Sequence, residues 1–455
     1  MKFALTKKAL LASAVSSALL ATANVATAAD LDSLSDDDLL ARIEALEKAI
    51  EGKGNVVLNG NKKVKLKISG QVNQKLRYAN DGTESQVNIL DNDASSTRLR
   101  LDGEAKVAKD FKVKSKIEFD LEVNPSDEVD IRSAGAGFFR GDDIGGPAGA
   151  GTSAQIDLRR AEIAFDHKRF GKLTLGQTNT ASNGVIERDL SGATLAVGDA
   201  SADDDDISFA FSATGVLLDG AGGDAEIGDF IDPNDGNSRA PAIRYDTPRF
   251  YGFSIATSFV QERTYDVALD YRNKDLAGFS VAGRAAYNAF DNSQIADAVS
   301  DQTTQASGSL SILHNATGLN LTGYVGGDID DGTREAAAVA AGATNEYFFW
   351  GIKGGIKGKV FSLGSSAFAV DYGRGSGVAD PDEIGDIGSL TLAQQVTVIN
   401  NASSDTIGVQ FTQKWDKASA ELYAGWRRYD IDLGLGAAFD TDAINVVTAG
   451  SRFKF

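Results

Sequence analysis

The 455-residue chain has no cysteine, two histidines, one methionine and six prolines. The lack of cysteine excludes disulfides, thiolate metal sites and a cysteine nucleophile, and two histidines leave little imidazole for zinc binding or acid–base catalysis. The net charge of −19 argues against a broad surface for nucleic-acid phosphates. We therefore expect no enzyme, no cofactor, no metal site and no nucleic-acid partner.

Long apolar runs are also missing after the first thirty residues, which excludes a transmembrane helix there. At the start, three lysines precede an apolar stretch over residues 9–25, which ends in Ala26-Thr27-Ala28. A positive start, an apolar centre and an A-x-A site are typical of a secretory signal peptide. We expect residues 1–29 to be this signal peptide and to be cleaved on export.

From Val56 onward the hydrophobic period is two, which indicates β-strands. Strands of soluble sandwiches average about five to six residues, whereas runs of ten or more here carry full charge on one face. Such strands favour a transmembrane barrel with an apolar outside and a wet inside. One run, for example, sets Phe111, Val113, Ile117, Phe119 and Leu121 opposite Lys112, Lys114, Lys116, Glu118, Asp120 and Glu122.

The strand count is sixteen, an even number as in single-chain bacterial barrels. Residues 207–218 also look like a strand, but they lie inside the longest predicted loop, residues 179–238, and are left out. We expect an all-β fold, a sixteen-stranded antiparallel transmembrane β-barrel over residues 55–455. The predicted strands are residues 64–79, 95–107, 111–123, 155–166, 169–178, 239–247, 250–262, 264–273, 276–290, 305–314, 317–328, 344–354, 358–373, 403–415, 417–430 and 442–455.

The connections between these strands alternate between tight turns and mostly long loops, an asymmetry typical of outer-membrane barrels. The predicted tight turns are Lys109-Asp110, Asp166-His167-Lys168, Thr247-Pro248-Arg249, Lys274-Asp275, Asn315-Ala316, Gly355-Ile356-Lys357 and Asp416. The predicted long loops are residues 80–94, 124–154, 179–238, 291–304, 329–343, 374–402 and 431–441.

A short helix is predicted before the barrel, within residues 30–54. Leu39, Ile43, Leu46 and Ile50 follow a 4-3-4 spacing, which indicates an amphipathic or coiled-coil stripe. Two interpretations stay open, a self-associating periplasmic stalk and a helix that packs on its own barrel.

Several segments resemble Gram-negative general porins. Residues 242–254, AIRYDTPRFYGFS, resemble the turn-and-strand signature of these porins. Phe170–Gln177 resembles the strand that leads into their pore-folding loop, and Glu187–Gly192 resembles the loop itself. The chain ends in Phe453-Lys454-Phe455, and a terminal phenylalanine is typical of proteins handed to the outer-membrane insertion machinery. The leading helix is similar to the short coiled-coil preludes of some proteobacterial porins. The resemblance covers residues 55–455.

The resemblance implies an outer-membrane homotrimer whose third loop folds inward and narrows a water-filled channel. It implies passive diffusion of small hydrophilic solutes and ions in a Gram-negative bacterium. The implied partners are outer-membrane lipid, lipopolysaccharide and, through Phe455, the insertion machinery. A structural or adhesive surface protein anchored by a barrel, and a substrate-selective channel, remain as alternatives.

Strand alternation predicts the pore lining. It places Arg77, Arg98, Arg100, Arg244 and Arg284 on the inward face. Between Ile156 and Phe165 the alternation of apolar and polar residues shifts by one position, which indicates a β-bulge, and with this bulge Arg160 also faces inward. Glu187 and Asp189 lie in the predicted inward loop. A basic wall opposite an acidic loop would set a transverse field at the constriction. Alternatively, these groups are ordinary solvated lumen charges.

Two further features of the sequence resemble sites of chemistry, and neither predicts one. Asp232–Asn237 resembles part of an EF-hand loop, but glycine stands at its fifth position and no glutamate at its twelfth. His167 and His314 fall at periplasmic-side turns of different hairpins, with no catalytic motif around them. No catalytic, cofactor-binding or metal-binding residue is predicted.

Overall fold

The computed structural model describes residues 56–57, 63–131, 154–198, 204–215, 217–218, 225–260, 264–291, 302–330, 339–344, 346–381 and 390–455. The predicted signal peptide and the predicted helix within residues 30–54 lie outside these residues. In the ranges described, no helix is long and apolar enough to cross a membrane. The described residues include two short helices between strands, α1 (Ile227–Phe230) and α2 (Leu392–Asn401).

Antiparallel strands form one sheet that closes on itself through the pairing of β9 with β10. Over the described ranges this sheet has eighteen strand segments. They are β1 (Val56–Val57), β2 (Val64–Asn80), β3 (Ser85–Asp91), β4 (Arg98–Ala108), β5 (Phe111–Val123), β6 (Ala154–His167), β7 (Gly171–Asn179), β8 (Arg239–Asp246), β9 (Phe253–Val260), β10 (Tyr265–Leu276), β11 (Phe279–Asp291), β12 (Gln302–His314), β13 (Leu319–Asp330), β14 (Tyr347–Gly358), β15 (Ser366–Ser376), β16 (Ser403–Trp415), β17 (Ala420–Asp432) and β18 (Ile444–Lys454).

These segments make sixteen barrel strands, which confirms the predicted fold class. Segments β3 and β4 pair with the second and first halves of β2, so together they act as one interrupted strand. Segment β1 is a two-residue pairing at the start of β2. The prediction of a loop over residues 80–94 is therefore wrong in part. The Asp81 carboxylate accepts the Thr83 N–H at 2.8 Å and closes a tight turn, which returns the chain directly into β3.

A second difference concerns the turn predicted at Gly355-Ile356-Lys357, which is wrong. Strand β14 continues to Gly358, and the turn occupies residues 359–365. A Cβ atom at Gly355 would lie 2.6 Å from the Phe368 carbonyl oxygen. This glycine therefore permits a close approach of neighbouring strands rather than breaking the strand. The tight turns predicted at Lys109-Asp110 and at Asp416 are confirmed.

The run at residues 207–218 is not a barrel strand. Its described residues make only isolated bridges, such as Ser208 with Glu226 and Ala210 with Leu217. Its apolar side chains instead join a buried core between this part of the loop and the ends of β14, β17 and β18. That core contains Ile207, Phe209, Leu218, Ile227, Phe230, Tyr347, Phe349, Tyr429 and Ile444.

The two faces of the sheet differ in polarity as alternation predicts. Leu76 and Leu310 on the apolar face are each 50% exposed, whereas Asn73 and Ser311 on the polar face are fully buried. In a closed barrel this pattern directs the apolar face to lipid and the polar face to the interior. The polar face is buried in part because residues from the loop between β7 and β8 lie against it.

Candidate functional site

The first half of the loop between β7 and β8 follows the polar face of the sheet. The Ser182 hydroxyl donates to Asp266 of β10 at 2.6 Å, and the Leu190 N–H donates to Ser311 of β12 at 3.0 Å. Farther along, the Arg427 guanidinium of β17 donates to the Val197 carbonyl oxygen at 2.9 Å. These bonds attach residues 181–198 to the wall over many strands.

A buried ion pair holds the middle of this segment. The Asp189 carboxylate lies 2.9 Å from the Lys353 ammonium of β14, and their side chains are 2% and 1% exposed. Thr322 of β13 donates to the same carboxylate at 3.1 Å. Burial raises the pKa of Asp189, but the Lys353 charge together with hydrogen bonds from Lys353 and Ser191 outweighs burial and holds the pKa below its ordinary value. Asp189 is therefore ionised, and its charge is compensated.

A cavity of about 700 Å³ lies between this segment and the wall around β4–β8. Residues of opposite charge line it. The basic ones are Arg98, Arg100, Arg159, Arg160 and Arg239, and the acidic ones are Asp93, Glu118, Glu187, Asp189, Asp205, Asp232 and Asp235. The predicted residues Arg98, Arg100, Arg160, Glu187 and Asp189 are thus brought together.

A β-bulge in β6 creates part of the basic wall. Arg160 pairs with Glu118 and Leu158 pairs with Phe119, so Arg159 is the extra residue between them. The bulge predicted from the phase slip between Ile156 and Phe165 is confirmed. Because a bulge sets two residues against one, Arg159 and Arg160 both reach the cavity.

Glu118 of β5 is the main carboxylate within the basic wall. It contacts the Arg100 guanidinium directly, and the Arg159 Nε and Arg98 guanidinium nitrogens lie 3.3 Å and 3.8 Å away. Arg159 also contacts Asp120. Arg160 instead forms a bidentate pair with Glu162, with the shortest contact at 2.8 Å. The wall is therefore a network in which most guanidiniums have a carboxylate partner.

The other predicted arginines do not line this cavity. Arg77 is fully buried and donates to Asp204 at 3.0 Å and to the Ser126 carbonyl oxygen at 2.9 Å. Arg244 pairs with Asp246 at 2.7 Å and donates to the Thr180 carbonyl oxygen at 2.7 Å.

Arg284 of β11 likewise donates to a loop carbonyl oxygen, that of Ala181. The three side chains therefore hold loop segments against the wall. Alternation alone does not distinguish this role from lining a channel.

Arg239 and Asp235 are among the cavity residues that the sequence did not predict. Alternation with Ile243 and Tyr245 assigns Arg239 to the apolar face, yet its side chain lines the cavity at the start of β8. Asp235 lies next to Glu187 and accepts the backbone N–H groups of Gly184 at 3.0 Å and of Ile186 at 2.9 Å. No sequence pattern indicates either placement.

The acidic residues of the cavity carry less negative charge than their number suggests. Burial, together with the nearby Glu187 charge, raises the pKa of Asp235 well above its ordinary value. This shift favours the protonated form of Asp235 near neutral pH. The EF-hand-like stretch uses its carboxylates on backbone N–H groups, for example Asp232 on Asn234 at 2.7 Å. No cluster of metal-binding side chains is found in the part of the chain that is described.

Comparisons with known proteins agree with this architecture. The profile of the Gram-negative porin family matches residues 12–450. The anion-selective porin from Comamonas acidovorans has a TM-score of 0.51 at 14% identity, with 86% of this chain and 100% of that chain covered. A loop L8 deletion mutant of OmpT, an outer membrane protein of Vibrio cholerae, has a TM-score of 0.50 at 11% identity, with 87% and 100% covered.

A comparison with curated proteins finds no match. The family match nevertheless spans nearly the whole chain, and the closed sixteen-stranded barrel is the architecture of that family. The chain therefore belongs to the Gram-negative porins and forms an outer-membrane channel for passive diffusion.

Proposed function

We propose that small hydrophilic solutes and ions cross the barrel through the cavity between the arginine wall and residues 179–198. The observation that carries this proposal is that Arg98, Arg100 and Arg160 line the same cavity as Glu187. Opposite charges across a narrow, low-dielectric passage set a transverse field that orients dipolar solutes and disfavours apolar ones. This cavity is the constriction of the channel in our proposal, and residues 179–198 are the inward part of the third loop.

A single introduced thiol tests this passage, because the chain has no cysteine of its own. Glu187 is exposed to the cavity. A bulky charged thiol reagent should therefore lower the single-channel conductance of Glu187→Cys in planar bilayers. The matched control is Asp275→Cys, exposed at the end of β10 next to the turn into β11, where labelling should leave conductance unchanged. Labelling of Glu187→Cys without any change in conductance would place the passage elsewhere.

We infer that no catalytic step accompanies this passage. The His167 ring packs against Phe170 with ring centroids 4.6 Å apart. His314 packs against Phe279 at 4.9 Å and shares a hydrogen bond of 2.8 Å with Thr317. Both side chains are thus engaged at strand ends, away from a nucleophile–base arrangement of the kind that hydrolysis needs. The adhesive-anchor alternative is not favoured by the family assignment.

We propose that the mature protein is a homotrimer in contact with outer-membrane lipid and lipopolysaccharide, exported through the signal peptide of residues 1–29. The apolar outer face supports the lipid contact. The backbone of Phe455 pairs with Gly70 at 2.9 Å and 3.0 Å, while its side chain is 50% exposed. An accessible terminal ring supports recognition by the insertion machinery.

Deleting residues 30–54 should leave the trimers intact. Isolated helices shorter than about 12–15 residues are marginal, so two heptads add little to the contact that barrel walls offer. Native gels of the purified full-length and shortened proteins measure this. Loss of trimers after the deletion would instead assign assembly to the predicted stalk, and the full-length protein is the control for extraction.

A further inference from the structure

Arg239 differs from the other arginines of the cavity in its partners. Arg98, Arg100 and Arg159 share Glu118, and Arg160 has Glu162. Arg239 forms no ion pair or hydrogen bond through its guanidinium with any residue in the described ranges. A guanidinium carries five N–H donors in a planar fork, so the donors of Arg239 are available to a solute in the cavity.

Arg159 explains why Arg239 lacks a partner. As the extra residue of the β6 bulge, Arg159 contacts Asp120 and lies 3.3 Å from Glu118. These are the same carboxylates that act electrostatically on Arg239, and Arg159 itself repels Arg239. The bulge thus places Arg159, rather than Arg239, next to both carboxylates. Without Arg159, Asp120 would lose its ion-pair partner and would be free to attract Arg239, while Glu118 would keep Arg98 and Arg100.

We propose that Arg239 binds the oxyanion group of a passing solute, a carboxylate, phosphate or sulfate, and that Arg159 is the positioning residue that keeps Arg239 free. The inference rests on the proposed passage through this cavity and adds a binding step to it. Planar oxyanions and phosphates match the guanidinium fork bidentately. Selectivity for such solutes then depends on one unpaired side chain in addition to the field of the whole wall.

Oxyanion binding by Arg239 and the electrostatic effect of its charge can be separated by experiment. Removing any cavity arginine deletes one positive charge, so the zero-current potential in a salt gradient should shift towards cations for all of them. Only a guanidinium with unused donors also binds. Arg160→Gln is therefore the matched control for Arg239→Gln, since both remove one charge from the same cavity but the donors of Arg160 already engage Glu162.

The probe is inorganic phosphate, titrated against the KCl current of the purified full-length protein in planar bilayers. The unmodified channel should show concentration-dependent block. Arg239→Gln should raise the half-blocking phosphate concentration about tenfold, because the variant loses one charge-assisted hydrogen bond to phosphate. Arg160→Gln should raise it by less than about twofold, the residual effect of the lost charge on the local potential. Both variants should shift the zero-current potential in the same direction.

Deletion of Arg159 tests the positioning role. The deletion removes the residue that the register skips, so Leu158 stays opposite Phe119 and Arg160 opposite Glu118. Phosphate block should weaken about tenfold although Arg239 is still present, because the freed Asp120 carboxylate captures its guanidinium. Combining this deletion with Arg239→Gln should add no further loss, as expected for residues that act through one another. Stable, stepwise KCl channels formed by the deletion variant verify that the barrel is intact.

The outcomes distinguish the inference from the function on which it rests. Equal loss of block in Arg239→Gln and Arg160→Gln, or no block by phosphate in a conducting channel, would overturn the binding role of Arg239. Additive effects in the double variant would overturn the positioning role of Arg159. The passage would then stand, supported by labelling at Glu187. If neither phosphate nor labelling at Glu187→Cys changes the current, the proposed passage through this cavity is overturned as well.

Discussion

Replacing Asp189 by alanine is expected to detach residues 186–198 from the barrel wall. The change leaves the Lys353 ammonium, 1% exposed, without its carboxylate. Removing one partner of a buried ion pair costs about 3–5 kcal/mol, and the affected contacts belong to the loop rather than the sheet. Hydrogen exchange should show lost protection around Leu190, whose N–H is bonded to Ser311. Bilayer currents should show frequent closures as the loop moves in the passage.

The control for this change is Asp405→Ala, which breaks an exposed pair with Arg374 in which both side chains are at least 40% exposed. Such pairs contribute about 0–1 kcal/mol, so loop protection and current should stay as they are. Combining Asp189→Leu with Lys353→Met should restore order, because an apolar pair can replace a buried ion pair. Full protection of Leu190 in Asp189→Ala would show that the loop is held by its other contacts.

The double change Arg98→Ala and Arg100→Ala should raise the cation-to-anion permeability ratio several-fold. At about 6 Å in water, each lost charge changes the energy of an ion by about 0.7 kcal/mol. Two such charges alter local ion concentrations by up to about tenfold. Zero-current potentials in a salt gradient measure the ratio. At about 1 M salt the Debye length is about 3 Å, and the effect should shrink.

The opposite change, Glu187→Gln with Asp189→Asn, should move the ratio towards anions. Most of this effect should come from Glu187, since Asp189 is compensated by Lys353. Glu187→Gln alone is therefore the sharper comparison with the arginine variant. If neither variant shifts the ratio at low salt, the narrowest point lies away from the cavity and the proposed constriction is wrong.

The sequence alone determined the barrel, because the alternation of apolar and polar residues is a local property. It shows that one face of each strand lies in an apolar environment and the other in water. The charged second face of runs such as residues 111–123 indicated a wet interior, and sixteen barrel strands are found. The β6 bulge was also readable, because one extra residue inverts the phase on one side of it. Errors arose at Gly355 and at residues 80–94, where cross-strand approach and a short polar turn override local propensity.

Only the tertiary structure decided what the inward side chains do. Alternation places Arg77 and Arg98 on the same face, yet one is fully buried against Asp204 and the other lines the cavity. Arg77 and Asp204 are 127 residues apart. The partner of a charge depends on which loop lies against the wall, a long-range contact that no local pattern encodes. For the same reason the sequence identified Asp189 as an acidic loop residue but not Lys353 as its counter-charge, and it missed Arg239 altogether.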